Sequence, residues 1–532
     1  MTQTYKKKLI EVAIPLEAIN AASAREKSIR HGHPSTLHLW WARRPLAACR
    51  AVLFAQLVDD PSSLPEEFPT PEAQDAERKR LFAIIEDLVK WENSTNEEVL
   101  ERARAEIRRS CGGELPPVYD PFSGGGSIPL EAQRLGLPAY GSDLNPVAVM
   151  INKAMIEIPP KFKDMEPVHS GLKERNHYRN AEGLAEDVKY YGDWMREKAL
   201  ERIGHLYPKV ELPKVHGGGK ATVVAWIWAR TVPSPDPAFS DAHVPLISNF
   251  VLSSKKGKEV RVKPVVDRVA QKIGFEVSKT GTKAEWEEAK KGTKSGAGSN
   301  FRCLLSDSAI TSEYVRREAS KGNMGQMLVA VVAKSAGGRI FVPGTEEHRI
   351  VAESCEPRWV PEQKLSPDRR AFTPPDFGMH TFGDLFTKRQ LVALDTYSSL
   401  VAETRDYIVS ESDASGREAI SEQYADAICV YLAFAVSKLS DIQNSLVSWK
   451  PSMVQVIHLF TRQAIPIVWD FAEPNLFSDS AGDFGVTLSN IIRALNNLGS
   501  GSPGSVVQSD AQSAKLPDGA ILSTDPPYYD NV

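Results

Sequence analysis

Apolar residues recur every three or four positions through most of the first 110 residues, which is the spacing of one face of an α-helix. In the segment PLAACRAVLFAQL, Leu46, Cys49 and Leu53 share such a face, and Pro45 stands where a first helical turn tolerates proline. The segments RLFAIIEDLVKW and EEVLERARAEIRRS continue the pattern. The sequence therefore predicts a helical N-terminal region over residues 1–110.

Residues 118–165 change to short apolar runs separated by glycines and helix signals, as in a β-α-β unit. Two further runs, ATVVAWIW (221–228) and MLVAVV (327–332), are typical of strands. Residues 420–449 instead predict one long helix, whose buried face carries Ile428, Tyr431, Ala435, Leu439, Ile442 and Leu446. This mixture of elements predicts a protein of the α/β class.

Composition narrows the class of protein further. The 532 residues are 42% hydrophobic and 25% charged, and no apolar run approaches the roughly 18 residues of a membrane span. The N-terminal segment lacks the apolar stretch of a secretory signal. The five cysteines contain no CxxC pair, as expected in a reducing compartment. We therefore expect a cytoplasmic protein with no membrane partner.

The net charge of −4 excludes a uniformly basic coat but conceals a local excess of positive charge. From Val251 to Gly325 the chain has 16 Lys and Arg residues against 9 Asp and Glu residues. Such a stretch is either a solvated surface or a patch that faces phosphate groups. The sequence leaves both interpretations open.

A glycine-rich segment, VYDPFSGGGSIPLEA (118–132), joins a predicted strand that ends in Asp120 to a predicted helix. Three consecutive glycines let the backbone approach a ligand that side chains would exclude. Pro129 replaces the third glycine of a dinucleotide fingerprint, which argues against a nicotinamide or flavin site. An aspartate at the tip of the strand favours a positively charged ligand over a pyrophosphate.

A second aspartate, Asp143, ends the next predicted strand, seventeen positions after Gly126. A carboxylate at that place can accept hydrogen bonds from both hydroxyls of a ribose. Taken alone, the glycine segment is equally consistent with a tight strand–helix turn. Together with Asp143 it predicts a nucleoside ligand.

The last predicted strand lies in AILSTDPPYYDNV, after a Gly/Ser-rich segment, LNNLGSGSPGSVVQSD, that we interpret as a linker. We expect this strand to be short and buried, with two prolines stiffening the turn that follows it. Asp525 and the carbonyl of Pro526 can then accept hydrogen bonds from one amino group. Tyr528 offers a ring on which a flipped base can stack, at ~1–3 kcal/mol. A plain Pro-Pro loop is the alternative.

The motifs D-P-F-x-G-G-G, S-D-L-N-P and T-D-P-P-Y, in this order, resemble those of S-adenosylmethionine-dependent amino-methyltransferases of nucleic acid. HPSTLHLWWARRPLAACRA, GSDLNPVAVMINKAMIEIP and RQAIPIVWDFAEPNLFSDS extend the resemblance to a family of adenine-specific DNA methylases that contain a zinc ribbon. The resemblance implies a class I, Rossmann-like methyltransferase sheet, S-adenosyl-L-methionine as cofactor and methylation of adenine N6 in DNA. In some members it also implies a place in anti-phage gene clusters.

The resemblance also assigns roles to individual residues. It places eight residues in the cofactor site: Asp120, Pro121, Phe122, Gly124, Gly125, Gly126, Asp143 and Asn145. Among these, Asp120, Gly124 and Gly126 are assigned to the methionine end of the cofactor, and Asp143 is assigned to the ribose. It places at the target base Asp525, Pro526, Pro527 and Tyr528. The segment HLWWARR (38–44) keeps two interpretations: it contacts cofactor or phosphate, or its tryptophans pack the helical region against the sheet.

The zinc ribbon of the family should carry cysteine pairs that hold a tetrahedral zinc ion. In this chain the first knuckle region, TVPSPDPAFSDAHVPL, has no cysteine. The second, FRCLLSDS, has only Cys303, with Ser306 in the place of its partner. Since one thiolate cannot hold a structural zinc ion, we predict a ribbon-like fold without metal.

A seven-stranded methyltransferase sheet has three more strands after the one that carries the DPPY motif, and residues 144–524 would have to supply them out of order. We therefore expect a truncated or split domain, incomplete at its C-terminus, with a separate chain as a candidate partner that supplies the missing strands. The long interval between Asp143 and Asp525 leaves room for target recognition. We expect a cofactor-binding half at 111–165, an inserted region with a degenerate ribbon at 166–375, a mainly helical region at 376–500, and a linker with the catalytic loop at 501–532.

The leading hypothesis is an adenine N6 methyltransferase that acts on DNA. The same hydrogen-bonding logic serves cytosine N4 or a base in RNA, so these acceptors stay open. A third hypothesis is a catalytically inactive fragment that binds cofactor and DNA and needs a separate C-terminal half.

Overall fold

Helices and short strands alternate through the residues that the structure, a computed structural model, describes: 5–171, 173, 175–461, 463–499 and 501–527. The α-helices are α1 (Leu9–Val12), α2 (Leu16–Glu26), α3 (Leu46–Leu57), α4 (Pro71–Leu88), α5 (Glu97–Ser110), α6 (Ser127–Arg134), α7 (Pro146–Asn152), α8 (Ile158–Lys161), α9 (Glu182–Ile203), α10 (Lys283–Lys291), α11 (Ser312–Ser320), α12 (Glu346–Glu353), α13 (Lys388–Ala414), α14 (Ser421–Ser440) and α15 (Phe484–Leu495).

The strands are β1 (Val118–Asp120), β2 (Ala139–Asp143), β3 (Val210–Glu211), β4 (Lys220–Ala221), β5 (Val223–Pro233), β6 (His243–Leu246), β7 (Val251–Ser253), β8 (Val260–Asp267), β9 (Lys272–Ser278), β10 (Phe301–Arg302), β11 (Ala309–Ile310), β12 (Gly325–Ser335), β13 (Gly338–Pro343), β14 (Trp449–Lys450), β15 (Gln455–Val456), β16 (Asp470–Pro474), β17 (Ser505–Gln508) and β18 (Ile521–Leu522). The protein is mixed α/β, as predicted. The helical character predicted for residues 1–110 is confirmed by α1 to α5.

The chain forms two compact units, each built from separated stretches of sequence. The first comprises Met1–Gly192, Thr404–Phe434 and Leu488–Val532. The second comprises Asp193–Glu403 and Ala435–Thr487. The five segments predicted from the sequence are a different division of the chain and stay a prediction.

The first unit contains a four-stranded parallel sheet in the order β17-β2-β1-β18. The register pairs Val118 with Ala139 on one side and with Ile521 on the other. The predicted strand ends at Asp120 and Asp143 are both confirmed. Because the carboxyl ends of parallel strands meet at one edge of a sheet, the loops that follow all four strands share that edge.

Helix α3 is held at its N-terminus by a buried carboxylate. Glu26 accepts hydrogen bonds from the backbone N–H groups of Leu46 (2.8 Å) and Ala47 (2.9 Å). A negative charge at this end of a helix satisfies donors that have no partner within the helix and opposes the helix dipole favourably. The segment that precedes α3 is thereby fixed in place.

A buried ion cluster joins α3 to α6. The Glu131 carboxylate accepts a hydrogen bond from Nε of Arg50 and another from Nη1 of Arg134 (2.6 Å), and all three side chains are almost fully buried. Burial by itself raises the pKa of Glu131, but the two guanidinium groups outweigh it and hold the pKa below its usual value. The stability of this cluster therefore depends on the pairing of the Glu131 charge with the charges of the two arginines.

The long helix predicted at 420–449 is shorter in the structure, because α14 ends at Ser440. Ile442 and Leu446, predicted to lie on its apolar face, come after its last residue. The side-chain amide of Asn444 donates to the carbonyl of Ser440 (2.8 Å), which satisfies a carbonyl at the helix end and replaces a further helical turn.

Two predictions for the C-terminal segments are wrong. The Gly/Ser-rich stretch interpreted as a linker contains β17, which pairs with β2 from Ser505 to Gln508. The strand before the Pro-Pro turn is short, as expected, but Leu522 is 49% exposed instead of buried. Among the described strands β18 pairs with β1 alone, so it lies at the edge of the sheet and has one covering neighbour.

The second unit contains an antiparallel sheet in the order β13-β12-β5-β16, with β6 also paired to β5. The strands predicted at 221–228 and 327–332 correspond to β5 and β12. β12 extends beyond both predicted ends, whereas β5 begins two residues later than predicted and runs on to Pro233. Trp226 and Trp228 are fully buried on β5, and the indole N–H of Trp228 donates to Glu473 (2.9 Å). The stretch from Val251 to Gly325, with its excess of Lys and Arg, contains a separate three-stranded sheet, β7-β8-β9.

Candidate functional site

Asp120 lies at the carboxyl end of β1 and is only 2% exposed. Its carboxylate accepts hydrogen bonds from the backbone N–H of Phe122 (3.0 Å) and from the hydroxyl of Thr524 (2.7 Å). Burial raises the pKa of Asp120 to about 6, since it outweighs these two hydrogen bonds, and the charges of Asp143 and Asp525 act in the same direction as burial. The charges of two further carboxylates therefore act on Asp120 at this edge of the sheet.

The glycine turn after β1 needs its glycines for two reasons. Gly124 and Gly126 have φ values of 46° and 76°, in the left-handed region that side chains disfavour. A Cβ atom at Gly124 would lie 2.8 Å from Nε1 of Trp40, and one at Gly126 would lie 2.2 Å from Cε of Met155. The sequence predicted that these glycines let a ligand approach the backbone closely. In the structure, the atoms nearest to these two positions belong to the side chains of Trp40 and Met155.

Asp143 ties the glycine turn to the loop after β2. Its Oδ2 atom accepts from the N–H of Gly124 (2.8 Å), and its Oδ1 atom accepts from the N–H of Asn145 (2.9 Å). The side chain of Asn145 in turn caps α7 by accepting from the N–H of Val147 (2.9 Å). The two acidic strand ends and the glycine turn thus form one hydrogen-bonded assembly.

Apolar side chains flank this assembly. Pro121 and Phe122 follow β1, and the ring of Phe122 is 39% exposed. Leu144, which lies between Asp143 and Asn145, is 70% exposed. Exposed apolar groups beside carboxylates are what a ligand with a ring and a positive charge requires.

Asp525 lies near the end of the described chain, in the loop that follows β18. The guanidinium of Arg44 binds both oxygens of its carboxylate: Nη2 donates to Oδ1 (2.8 Å) and Nε donates to Oδ2. The two side chains are 44% and 36% exposed, so solvent or a ligand can reach the pair. Pro526 and Pro527 are also exposed, and Tyr528 lies outside the described residues.

The 40–44 segment, WWARR, touches both the glycine turn and the Asp525 loop. Nη1 of Arg43 donates to the carbonyl of Gly125, and the carbonyl of Arg44 accepts from the hydroxyl of Ser127 (2.8 Å). The sequence left this segment with two interpretations, contact with the site or plain packing. The contacts bring the segment against the glycine turn and the Asp525 loop, and both interpretations stay open.

Residues that are distant in sequence therefore converge at one edge of the parallel sheet. Thr524 reaches Asp120, and Arg44 reaches Asp525, although these partners are hundreds of residues apart. Thr524 and Arg44 were not among the predicted site residues. The sequence indicates a role for these two residues only through their positions. Thr524 directly precedes the DPPY motif, and Arg44 ends the tryptophan- and arginine-rich segment.

Asn152 on α7 was not predicted either. Its side-chain amide donates to the carbonyl of Gly124 (2.9 Å) and to the carbonyl of Ala148 (2.8 Å). Its Oδ1 atom is buried and has no hydrogen-bond partner among the described residues, and the same holds for Nε and Nη2 of Arg43. These polar atoms surround the glycine turn and lack the partners that buried polar groups normally have.

The ribbon region, in the second unit, brings Cys303 close to the first knuckle region. Sγ of Cys303 lies 3.3 Å from the hydroxyl of Ser234, which stands in the first knuckle region, and the hydroxyl of Ser306 donates to Ser308 (3.0 Å). Within the described parts of the chain, no group of three or more His, Cys, Asp and Glu residues is placed to hold a metal ion. The polar contact of the Cys303 thiol in this region is therefore with a hydroxyl group.

Comparison with known proteins gives one match. A family model described as Protein of unknown function (DUF1156) matches residues 13–84, a range that includes the 40–44 segment. No curated protein and no solved structure matches the chain. In the part of the chain that the structure describes, no helix is both long enough and apolar enough to span a membrane.

Proposed function

We propose that this protein is an S-adenosyl-L-methionine-dependent methyltransferase that methylates the N6 amino group of adenine in DNA. One observation carries the proposal. Asp120 with the glycine turn, Asp143, and the Asp525-Pro-Pro loop meet at the carboxyl edge of a parallel sheet, where ligands of α/β proteins bind. Numbered by their order in the chain, the four strands of this sheet follow the order 3-2-1-4, which also begins the strand order of a Rossmann sheet.

The residues at this edge fit the proposed cofactor chemically. The cofactor has an ammonium group, a sulfonium centre and a ribose, and Asp120 and Asp143 are carboxylates of the kind that such groups need. The buried atoms without partners beside Gly125 and Gly124, on Arg43 and Asn152, are polar groups that a zwitterionic ligand can satisfy. When bound, the cofactor supplies an electrophilic methyl group.

In the proposed reaction, the Asp525 carboxylate and the Pro526 carbonyl accept the two N–H groups of the adenine amine. These hydrogen bonds draw the nitrogen toward tetrahedral geometry and free its lone pair for attack. The nitrogen–carbon bond forms as the carbon–sulfur bond breaks, sulfur keeps the bonding pair, and one amine proton is released to solvent. Positioning and electrostatic stabilisation provide most of the rate enhancement.

The test measures transfer of a labelled methyl group from cofactor to DNA by the purified chain. Asp525→Ala should lower transfer at least about a hundredfold, because the amine loses its charged acceptor. Asp518→Ala, an exposed aspartate of the same segment, should leave transfer unchanged. Transfer that survives in Asp525→Ala would contradict the assignment. Cofactor binding without any transfer would favour an inactive fragment instead.

The acceptor is settled by digesting the labelled DNA and separating the nucleosides. Label in N6-methyladenine supports the proposal, whereas label in N4-methylcytosine identifies the other amino acceptor. A parallel reaction with RNA of the same sequence tests the remaining alternative.

A further inference from the structure

We propose that Arg44 is a positioning residue that orients the Asp525 carboxylate, and that the 13–84 region of unknown function serves to supply it. This inference rests on the proposed function of Asp525. Its structural basis is the two-point contact between the Arg44 guanidinium and the Asp525 carboxylate, which brings the N-terminal region onto the loop that carries the DPPY motif.

The Asp525 carboxylate needs such support. It lies on an exposed loop, and within the described residues Arg44 is its one hydrogen-bond donor. A carboxylate on an exposed loop turns freely about its side-chain bonds unless a second group holds it. A guanidinium does this well, because its planar fork matches both carboxylate oxygens and fixes the plane of the group.

Arg44 is itself anchored on both sides. Its carbonyl accepts from Ser127, the first residue of α6. Two residues after Arg44, the N–H of Leu46 donates to the carboxylate of Glu26. One residue before Arg44, the side chain of Arg43 donates to the carbonyl of Gly125. The backbone that carries Arg44 is therefore tied to the glycine turn and to α3, so it can serve as a fixed support.

The contact also leaves room for a substrate. Each carboxylate oxygen has two acceptor positions, and Arg44 uses one on each. An amino group can therefore bind Asp525 while Arg44 stays in place. The competing view is a latch, in which Arg44 occupies Asp525 and must leave before the target base enters. The two views predict opposite effects of removing Arg44.

The first experiment measures kcat and KM for methyl transfer in Arg44→Gln and Arg44→Lys. If Arg44 positions Asp525, kcat should fall about ten- to hundredfold in Arg44→Gln, with KM for the cofactor nearly unchanged. Arg44→Lys should recover only part of the loss, because an ammonium cannot bind both oxygens in one plane. A rise in kcat would establish the latch and overturn the proposal.

Arg25→Gln is the matched control. Arg25 lies in the same 13–84 region and makes the same kind of exposed two-point pair, with Glu92. Its removal should leave kcat unchanged. Added guanidinium ion should restore part of the activity of Arg44→Ala but none of that of Asp525→Ala. An absence of rescue together with equal losses in the Arg25 and Arg44 variants would reduce Arg44 to a general structural role.

A second experiment does not depend on activity. Amide hydrogen exchange over residues 521–525 should become faster in Arg44→Gln and in Asp525→Asn. In the double variant it should be no faster than in either single variant, because each change breaks the same contact. Additive effects would overturn the positioning role. If the wild-type chain transfers no methyl group, the proposed function fails, while this exchange measurement still tests the contact.

Discussion

Asp120 combines a structural position at the end of a strand with the ligand-binding role that we propose for it. It is buried at the end of β1, receives two hydrogen bonds and lies near two other carboxylates. The sequence predicted its place, because an aspartate after a short apolar run marks a strand end. Its partner Thr524 could not be predicted, because no local pattern connects residues so far apart.

The raised pKa of Asp120 makes stability depend on pH. Its pKa is about 6 in the folded protein and 3.8 without the fold, so the folded state holds the proton more tightly. The resulting stabilisation is complete below pH 3.8 and is lost as the pH rises through 6, by at most roughly 3 kcal/mol. In urea unfolding between pH 4 and 7, Asp120→Asn should lose less stability than wild type over this range. Parallel curves for the two proteins would contradict this assignment of the pKa.

Gly126 should tolerate substitution much less well than Gly519, although both have left-handed backbone, with φ values of 76° and 69°. Gly519→Ala meets no atom within 4 Å and should lower the free energy of unfolding by about 1–2 kcal/mol through its backbone alone. Gly126→Ala also meets Met155 and Asn152, so it should lose about 1–3 kcal/mol more. Equal losses, measured by chemical denaturation, would show that the contacts relax freely.

At the scale of elements, the sequence predicts the bounds of a helix or strand most reliably where hydrophobic periodicity and end signals agree. Helix α3, with Pro45 before its first residue and an apolar face, is confirmed almost residue by residue. Strand β17 was missed because glycine and serine surround its two valines, and its pairing with β2 outweighs that local composition. The end of α14 was missed because apolar residues continue at helical spacing after the backbone leaves the helix.

The docking of α3 on α6 should depend strongly on Glu131. Glu131→Gln removes the carboxylate that pairs directly with the buried Arg50 and Arg134, so the free energy of unfolding should fall by about 3–5 kcal/mol. Glu97→Gln breaks an exposed pair with Arg104 and should change it by less than about 1 kcal/mol. Urea denaturation of the three proteins compares these values. A similar small loss in both variants would show that the buried cluster is dispensable.

At the scale of the whole molecule, the resemblance assigned the glycine turn and the DPPY motif to one reaction, and the contact between Asp120 and Thr524 brings the two loops together. The sequence did not predict two compact units assembled from alternating stretches, such as Thr404–Phe434 within the first unit. Hydrophobic periodicity reports which face of an element is buried, but it does not report which other element covers that face. The contacts of the 40–44 segment with the glycine turn and the Asp525 loop depend on such a pairing.

The pairing of β1 with β18 has a consequence for biosynthesis. About 400 residues separate Val118 from its partner Ile521, so at 5–20 residues per second a ribosome needs roughly 20 to 80 seconds to deliver the second strand after the first. Throughout that delay the nascent chain carries a strand edge that invites wrong partners. We therefore expect holding chaperones to raise the yield of native protein when the chain is translated in vitro.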